Sequence, residues 1–166
     1  MNIRKEECTL LFLRKSNRIL LVIKKQGFGI SKWNGIGGTL SPEESVEHAL
    51  VRECEEQIGV ILTTRHEVAV INFAYPNGNQ PVRQKVHVFI GDEWEGEPEE
   101  TEGMAPRWFQ IGEIPYDHMW EDDALWLPLI LRGQKLQCGF GFNGNADLLS
   151  ASINIIKEPD QKATGE

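Results

Sequence analysis

The chain's strongest chemical signal comes from a short stretch containing Glu44, Arg52, Glu53, Glu56 and Gln57. Glu56 lies three residues beyond Glu53 and Gln57 four, spacings that bring side chains together on adjacent turns of a helix. Two carboxylates held together at a semi-buried place repel each other and raise each other's pKa until a cation joins them. Oxygen-only ligands of this kind suit Mg2+ or Mn2+. Glu55 cannot stand in for either neighbour, because it points about 160° away from Glu53 around a helix.

Those side chains need a helix to hold them, and the sequence supplies its signals. Ser41 can cap it, Pro42 suits its first turn, and Glu44, three residues past the cap, completes a capping box. The spacing predicts a helix running to about Ile58, with Gly59 as its left-handed stop. At about 100° per residue, Val46, Ala49, Leu50, Cys54 and Ile58 fall on one broad face. Glu53 falls inside that apolar face, where an ordinary surface helix would not put an acid. Ahead of the helix, Gly35, Gly37 and Gly38 allow close backbone approach.

Gly38, Glu44, Arg52-Glu53-Cys54, Glu56 and Gly59-Val60 stand at the offsets G-x5-E-x7-R-E-U-x-E-E-x-G-U, with U apolar. The stretch resembles the Nudix box at every defined position but one. The departure is Gln57, where the family has its last glutamate. Two glycines, three acids and an arginine at fixed offsets make this a far stronger signal than a lone glycine-rich loop. The resemblance implies a Nudix fold, a mixed β-sheet in an α/β/α sandwich, and Mg2+-assisted attack of water on a nucleoside polyphosphate. It assigns Glu53 and Glu56 as carboxylate ligands, the Gly37 backbone as part of the metal site, and Arg52 with Glu53, Glu56 and Gln57 as catalytic residues, although Arg52 can also serve simply to orient a nearby glutamate. Gln57 keeps a carbonyl oxygen for the metal but lacks the negative charge.

With 166 residues, 40% of them apolar and 25% charged, the chain fits one ordinary globular domain. A formal charge of −8 with no basic patch argues against duplex nucleic acid or an anionic membrane as partner. An acidic enzyme can still take an anionic nucleotide if a cation supplies the positive charge. Cys8, Cys54 and Cys138 are an odd, widely spaced set without a CxxC pair, which reads as reduced core residues of a cytoplasmic protein. The opening MNIRKEE shows no signal-peptide pattern, and no apolar run approaches membrane-spanning length. A monomer is expected.

In chain order, 8–13 and 19–23 read as a β-hairpin, 67–75 and 82–90 as a second strand pair around a Pro/Asn/Gly turn, and 92–103 as an acidic connector. Residues 106–111 read as a short strand and 121–131 as a second helix that Pro128 should distort or shorten. Residues 135–142 and 147–156 read as two final strands. The domain spans 1–156, and 157–166 is expected to be a disordered tail.

The resemblance extends to the segments 24–29, 32–38, 86–89, 107–110, 114–115, 119–123 and 140–144. These are similar to the branch of the family that hydrolyses oxidised purine nucleoside triphosphates, 8-oxo-dGTP and 2-hydroxy-dATP, to the monophosphate and pyrophosphate. It implies a base pocket of Asn34, Trp120, Asp122 and Asp123, lined by Thr9, Phe28 and Phe73. An aromatic face such as Trp120 suits a purine. Two adjacent aspartates near aromatic walls cannot both ionise cheaply, so one can stay protonated and donate. Asn34 brings an acceptor and a donor for another base edge.

Plainer roles fit several of these residues too. Asp122-Asp123 near a helix start can serve the helix dipole, Asn34 before Gly35 can be a turn residue, and His87 reads as a sheet residue. Lys24 can contact phosphate or simply end its strand in solvent. At the level of function, another nucleotide substrate remains open, as does a nucleotide-binding module in which Gln57 has reduced hydrolysis.

Overall fold

A computed structural model describes residues 2–27 and 30–157; Phe28, expected in the base pocket, and the tail beyond Lys157 lie outside the described residues. Among the described residues, nine strands and two α-helices follow in the order β1 Arg4–Lys15, β2 Arg18–Lys24, β3 Trp33–Asn34, β4 Ile36–Thr39, α1 Val46–Ile58, β5 Ile61–Asn77, β6 Gln80–Glu95, β7 Met104–Gln110, α2 Asp123–Leu131, β8 Lys135–Phe142 and β9 Leu148–Ile156. The hydrogen-bonded path is β3-β2-β1-β6-β5-β8-β9, with β4 added to β1 and β7 to β2. The sheet is mixed: β1 and β6 run parallel, as do β5 and β8, and the remaining pairs are antiparallel.

The pleat of β1 explains the layers, because successive side chains point to opposite faces. Cys8, Leu10 and Phe12 join one apolar layer with Ile71, Val88, Cys138, Phe140 and the α2 residues Trp126, Leu127 and Ile130. Leu11 and Leu13 join the other, with Ile36, Phe89 and the α1 residues Leu50, Cys54 and Ile58. Each helix thus covers one face, which gives the expected α/β/α sandwich. Each fully buried Leu or Ile here stabilises the fold by about 1.5–3 kcal/mol relative to exposure.

Where structure and sequence reading differ, local causes are visible. Helix α1 starts at Val46, not near Pro42, and its cap is Ser45, whose hydroxyl accepts from the His48 N–H. Glu43 sits at φ 65°, a left-handed conformation through which no α-helix runs. The Ser41–Glu44 pair still forms, as a turn: the Ser41 N–H donates to Glu44 Oε1 at 2.9 Å. The stop is as expected, with Gly59 at φ 72° donating its N–H to the Glu55 carbonyl. Helix α2 runs through Pro128 and is shortened at its start, where residues 121–122 form a turn. Strands β5 and β6 are longer than their alternation suggested, because they pair from Ile61–Glu95 to Asn77–Gln80. Among the described residues, no helix is long and apolar enough to cross a membrane.

Candidate active site

Two clusters flank β1. On the α1 side, Ala49, Leu50, Cys54 and Ile58 anchor the helix in its apolar layer and carry Glu53 in with them, only 5% exposed. Gly38 on β4 lies over that carboxylate, close enough that a Cβ there would stand 2.8 Å from both Glu53 oxygens. A Cβ on Gly37 would collide at 1.9 Å with the Thr9 carbonyl oxygen. Only glycine lets this strand pass between β1 and the acid.

Glu53 is then ringed by polar neighbours. The Arg52 guanidinium reaches Glu53 Oε1 at 3.4 Å and clamps Glu44 through Nε and Nη2, at 2.7 and 2.9 Å. Its Nη1 donates to Glu56 Oε2 at 3.1 Å. His48 Nδ1 lies 2.8 Å from Glu44 Oε2, so Glu44 is bonded on all sides and its carboxyl is held well below the usual range, chiefly by the Arg52 hydrogen bonds. The same pairing holds the Arg52 guanidinium above its ordinary value. Glu53 moves the other way. Burial raises its carboxyl, Arg52 opposes this, and the charges of Glu56 and Glu44 add to the rise.

Gln57 completes the ring. Its Nε2 donates to Glu53 Oε2 at 2.5 Å and to the Gly37 carbonyl oxygen at 3.0 Å, while its Oε1 is buried with no partner. Glu53, Gln57 and the Gly37 carbonyl therefore converge. Glu56 stands at the rim, its side chain 62% exposed and paired with Arg52. Among the described residues no three Asp, Glu, His or Cys side chains form a metal cluster, so a cation here would draw on amide and backbone oxygens beside Glu53. Such an all-oxygen donor set fits a hard divalent cation.

The other cluster lies on the α2 side. Asp122 and Asp123 are 2% and 3% exposed, and neither behaves as a helix cap. Asp122 instead accepts from Trp126 Nε1 at 2.7 Å, and Asp123 Oδ2 has no partner. Burial pushes both carboxyls up, Asp123 strongly so because the Asp122 charge adds to it. Lys32, which lowers Asp123 somewhat, holds its Nζ 5.1 Å from the centre of the Trp120 ring. Asn34 is half-buried on β3 beside Trp33, and its Oδ1 accepts from the Gly35 N–H at 2.8 Å, leaving its amino group as the available donor. Phe73 stacks on Phe140 with ring centres 5.8 Å apart, in the same apolar layer as Trp126.

The two remaining expected substrate contacts, Thr9 and Lys24, sit on β1 and β2. Thr9 is opposite Gly38 in the β1–β4 ladder and shares the face of Leu11 and Leu13, so the pleat turns it toward Glu53 and away from the aspartates. Its buried hydroxyl has no partner. Lys24 ends β2 in an exposed position. His87 is a sheet residue, as expected, held between Glu67 and Glu7 at 2.8 and 2.6 Å. The sequence reading missed Lys32 and Trp126. Trp126 had a usable signal, since it follows Asp122 by four residues on a helix; Lys32 had none beyond its position between Gly27 and Trp33.

Comparison with known proteins agrees with this geometry. Residues 5–130 match the model of the NUDIX domain. The chain is 37% identical over 150 residues to a zebrafish (Danio rerio) protein named oxidized purine nucleoside triphosphate hydrolase, covering 90% of this chain and 95% of that one. The mouse (Mus musculus) protein of the same name is 38% identical over 148 residues, covering 89% and 94%. In fold, the chain is similar to the crystal structure of a MutT protein from Bacillus halodurans, with a TM-score of 0.78 at 20% identity, over 90% of this chain and 97% of the other. A carboxylate helix under a glycine strand, on a mixed sheet with this matched span, identifies the chain as a member of the Nudix hydrolase family.

Proposed function

We propose that this protein is a Mg2+-dependent pyrophosphohydrolase of oxidised purine nucleoside triphosphates, 8-oxo-dGTP and 2-hydroxy-dATP, releasing the monophosphate and pyrophosphate. Such an activity removes damaged precursors from the nucleotide pool. The observation that carries the substrate class is the Asp122–Asp123 pair, buried side by side with Asp123 Oδ2 unpartnered. A carboxyl kept protonated by burial donates through its O–H and accepts through its carbonyl, the complement of an amide-like edge on an oxidised base. A pair able to exchange its proton suits both an oxidised guanine and an oxidised adenine. Trp120 offers an aromatic face, and the Asn34 amino group a further donor. The names of the zebrafish and mouse relatives support the same reading.

For the chemistry, water attacks one of the two phosphorus atoms joined by the α–β bridging oxygen, the bond from that phosphorus to the bridging oxygen breaks, the displaced phosphate group keeps the electron pair, and the water gives up its proton. Glu53, the Gly37 carbonyl and Gln57, with Glu56 at the rim, are the residues that would hold the cation. When bound, the cation neutralises and orients the phosphate oxygens. Arg52 keeps the ring in place by fixing Glu44 and Glu56. The nucleotide is the proposed partner, and no nucleic-acid or membrane surface enters this reading.

A second reading, nucleotide binding with reduced turnover, is favoured by one observation, the donor rather than acceptor that Gln57 presents to Glu53. A pyrophosphate-release assay with 8-oxo-dGTP and Mg2+, comparing the protein with Gln57→Glu, separates the two. Turnover by both proteins supports the hydrolase; turnover by Gln57→Glu alone supports the binding module. If neither prefers oxidised purines over dGTP, the sanitising function is wrong.

A further inference from the structure

Gln57 faces two groups that only accept. Glu53 Oε2 and the Gly37 carbonyl oxygen both take hydrogen bonds from Nε2, at 2.5 and 3.0 Å. Without a cation, this amide has one acceptable orientation, because the reverse would set oxygen against oxygen twice. A cation imposes the opposite demand, since it binds oxygen and repels an amino group. The two ends of a carboxamide are nearly equal in size, so a half-turn about the last side-chain bond exchanges them with little steric change. Oε1 has no partner to lose in that turn. The only bonds broken are the two inward ones.

We propose that the Gln57 amide is a two-position latch. Its amino group occupies the cation's seat between Glu53 and Gly37 in the resting protein, and its carbonyl oxygen takes over that seat when the cation enters. This rests on the reading of the Glu53 cluster as a cation site. In the resting position Gln57 acts as a built-in hydrogen-bond donor, so the buried Glu53 is satisfied without metal. In the turned position it becomes an oxygen ligand. The latch makes the cation-free fold self-sufficient and makes the cation compete with two hydrogen bonds on entry. A glutamate at the same place would do the reverse, leaving a buried pair of acids without metal and binding the cation more tightly.

The test uses the full chain as parent, Gln57→Glu and Gln57→Met, with two readouts that need no turnover. Calorimetric melting is recorded at about pH 8, where free carboxyls are ionised, in chelator and again with Mn2+. Binding is measured directly as the loss of the free Mn2+ paramagnetic resonance signal. In chelator, Gln57→Glu should melt about 4 °C or more below the parent. With Mn2+ it should regain that loss and show about tenfold or tighter binding. Gln57→Met, which lacks both donor and ligand, should also melt below the parent in chelator and gain no affinity. If Gln57→Glu in chelator melts at or above the parent, the latch is refuted while the cation site can stand. If neither the parent nor Gln57→Glu binds Mn2+, the cation site itself fails, and the latch with it.

Discussion

Replacing Gly38 with alanine is the sharpest probe of the carboxylate site. The new methyl carbon would lie 2.8 Å from Glu53 Oε1 and equally near Oε2, whereas carbon and oxygen ordinarily approach to about 3.3–3.6 Å. Half an ångström or more must therefore be found, on the order of the shortfall itself. Glu53 cannot give it freely, being buried, bonded to Gln57 and Arg52, and carried on a helix face packed at Ala49, Leu50 and Cys54. Overpacking of this kind costs about 1–3 kcal/mol. At about 2–4 °C per kcal/mol for a chain of this size, melting should fall by about 2–12 °C. Activity should fall further than stability, because a misplacement near 1 Å in a catalytic site costs about 100-fold. Differential scanning calorimetry and pyrophosphate release on the same preparation measure both effects. Gly37→Ala should be worse, since its methyl meets backbone at 1.9 Å and no side chain can yield. A Gly38→Ala protein with unchanged melting and unchanged turnover would refute the close packing of β4 on Glu53.

Two further predictions concern the other face. Asp123 has its folded pKa raised above the ordinary 3.8, so the folded state holds its proton more tightly than the unfolded chain does. Stability from this group is present at low pH and is lost as pH rises from about 3.8 through the raised value. Asp123→Asn should remove that loss, so urea midpoints of parent and variant should diverge upward in pH, with the variant the more stable; parallel curves would contradict the buried acid. Trp126→Phe keeps the ring packing on Phe12 but deletes the donor to Asp122, 2.7 Å away. It should cost about 1–3 kcal/mol in denaturant melts and weaken selection for oxidised purines over dGTP. Unaltered selectivity would detach Trp126 from the pocket.

The metal-side helix was legible because three independent signals coincide there: a glycine stop, an apolar face and an acid set inside it. Its start was not, because Ser41 and Ser45 each offer a cap, and only the left-handed backbone of Glu43 decides between them. The base-side pair could be named from Asp122 and Asp123, but their burial could not, since adjacent acids at a helix start most simply serve the dipole. The face that Thr9 takes was not legible either, since strand parity becomes useful only once a register and a covering helix are known. The orientation of the Gln57 amide depends on a strand twenty residues earlier in the chain, the Gly37 carbonyl being its second acceptor. No local pattern contains that information.

Strand β1 separates the two clusters by side-chain parity: Leu10 and Phe12 face the aspartate layer, Thr9, Leu11 and Leu13 the carboxylate helix. One strand thus serves as a partition wall with an independent surface on each side. On the proposed function, the choice of base and the handling of phosphate can drift separately, because a change at an even position leaves the odd face intact. Libraries meant to retune the substrate should therefore vary positions 8, 10 and 12 and leave 9, 11 and 13 alone. Those meant to retune the cation should do the opposite.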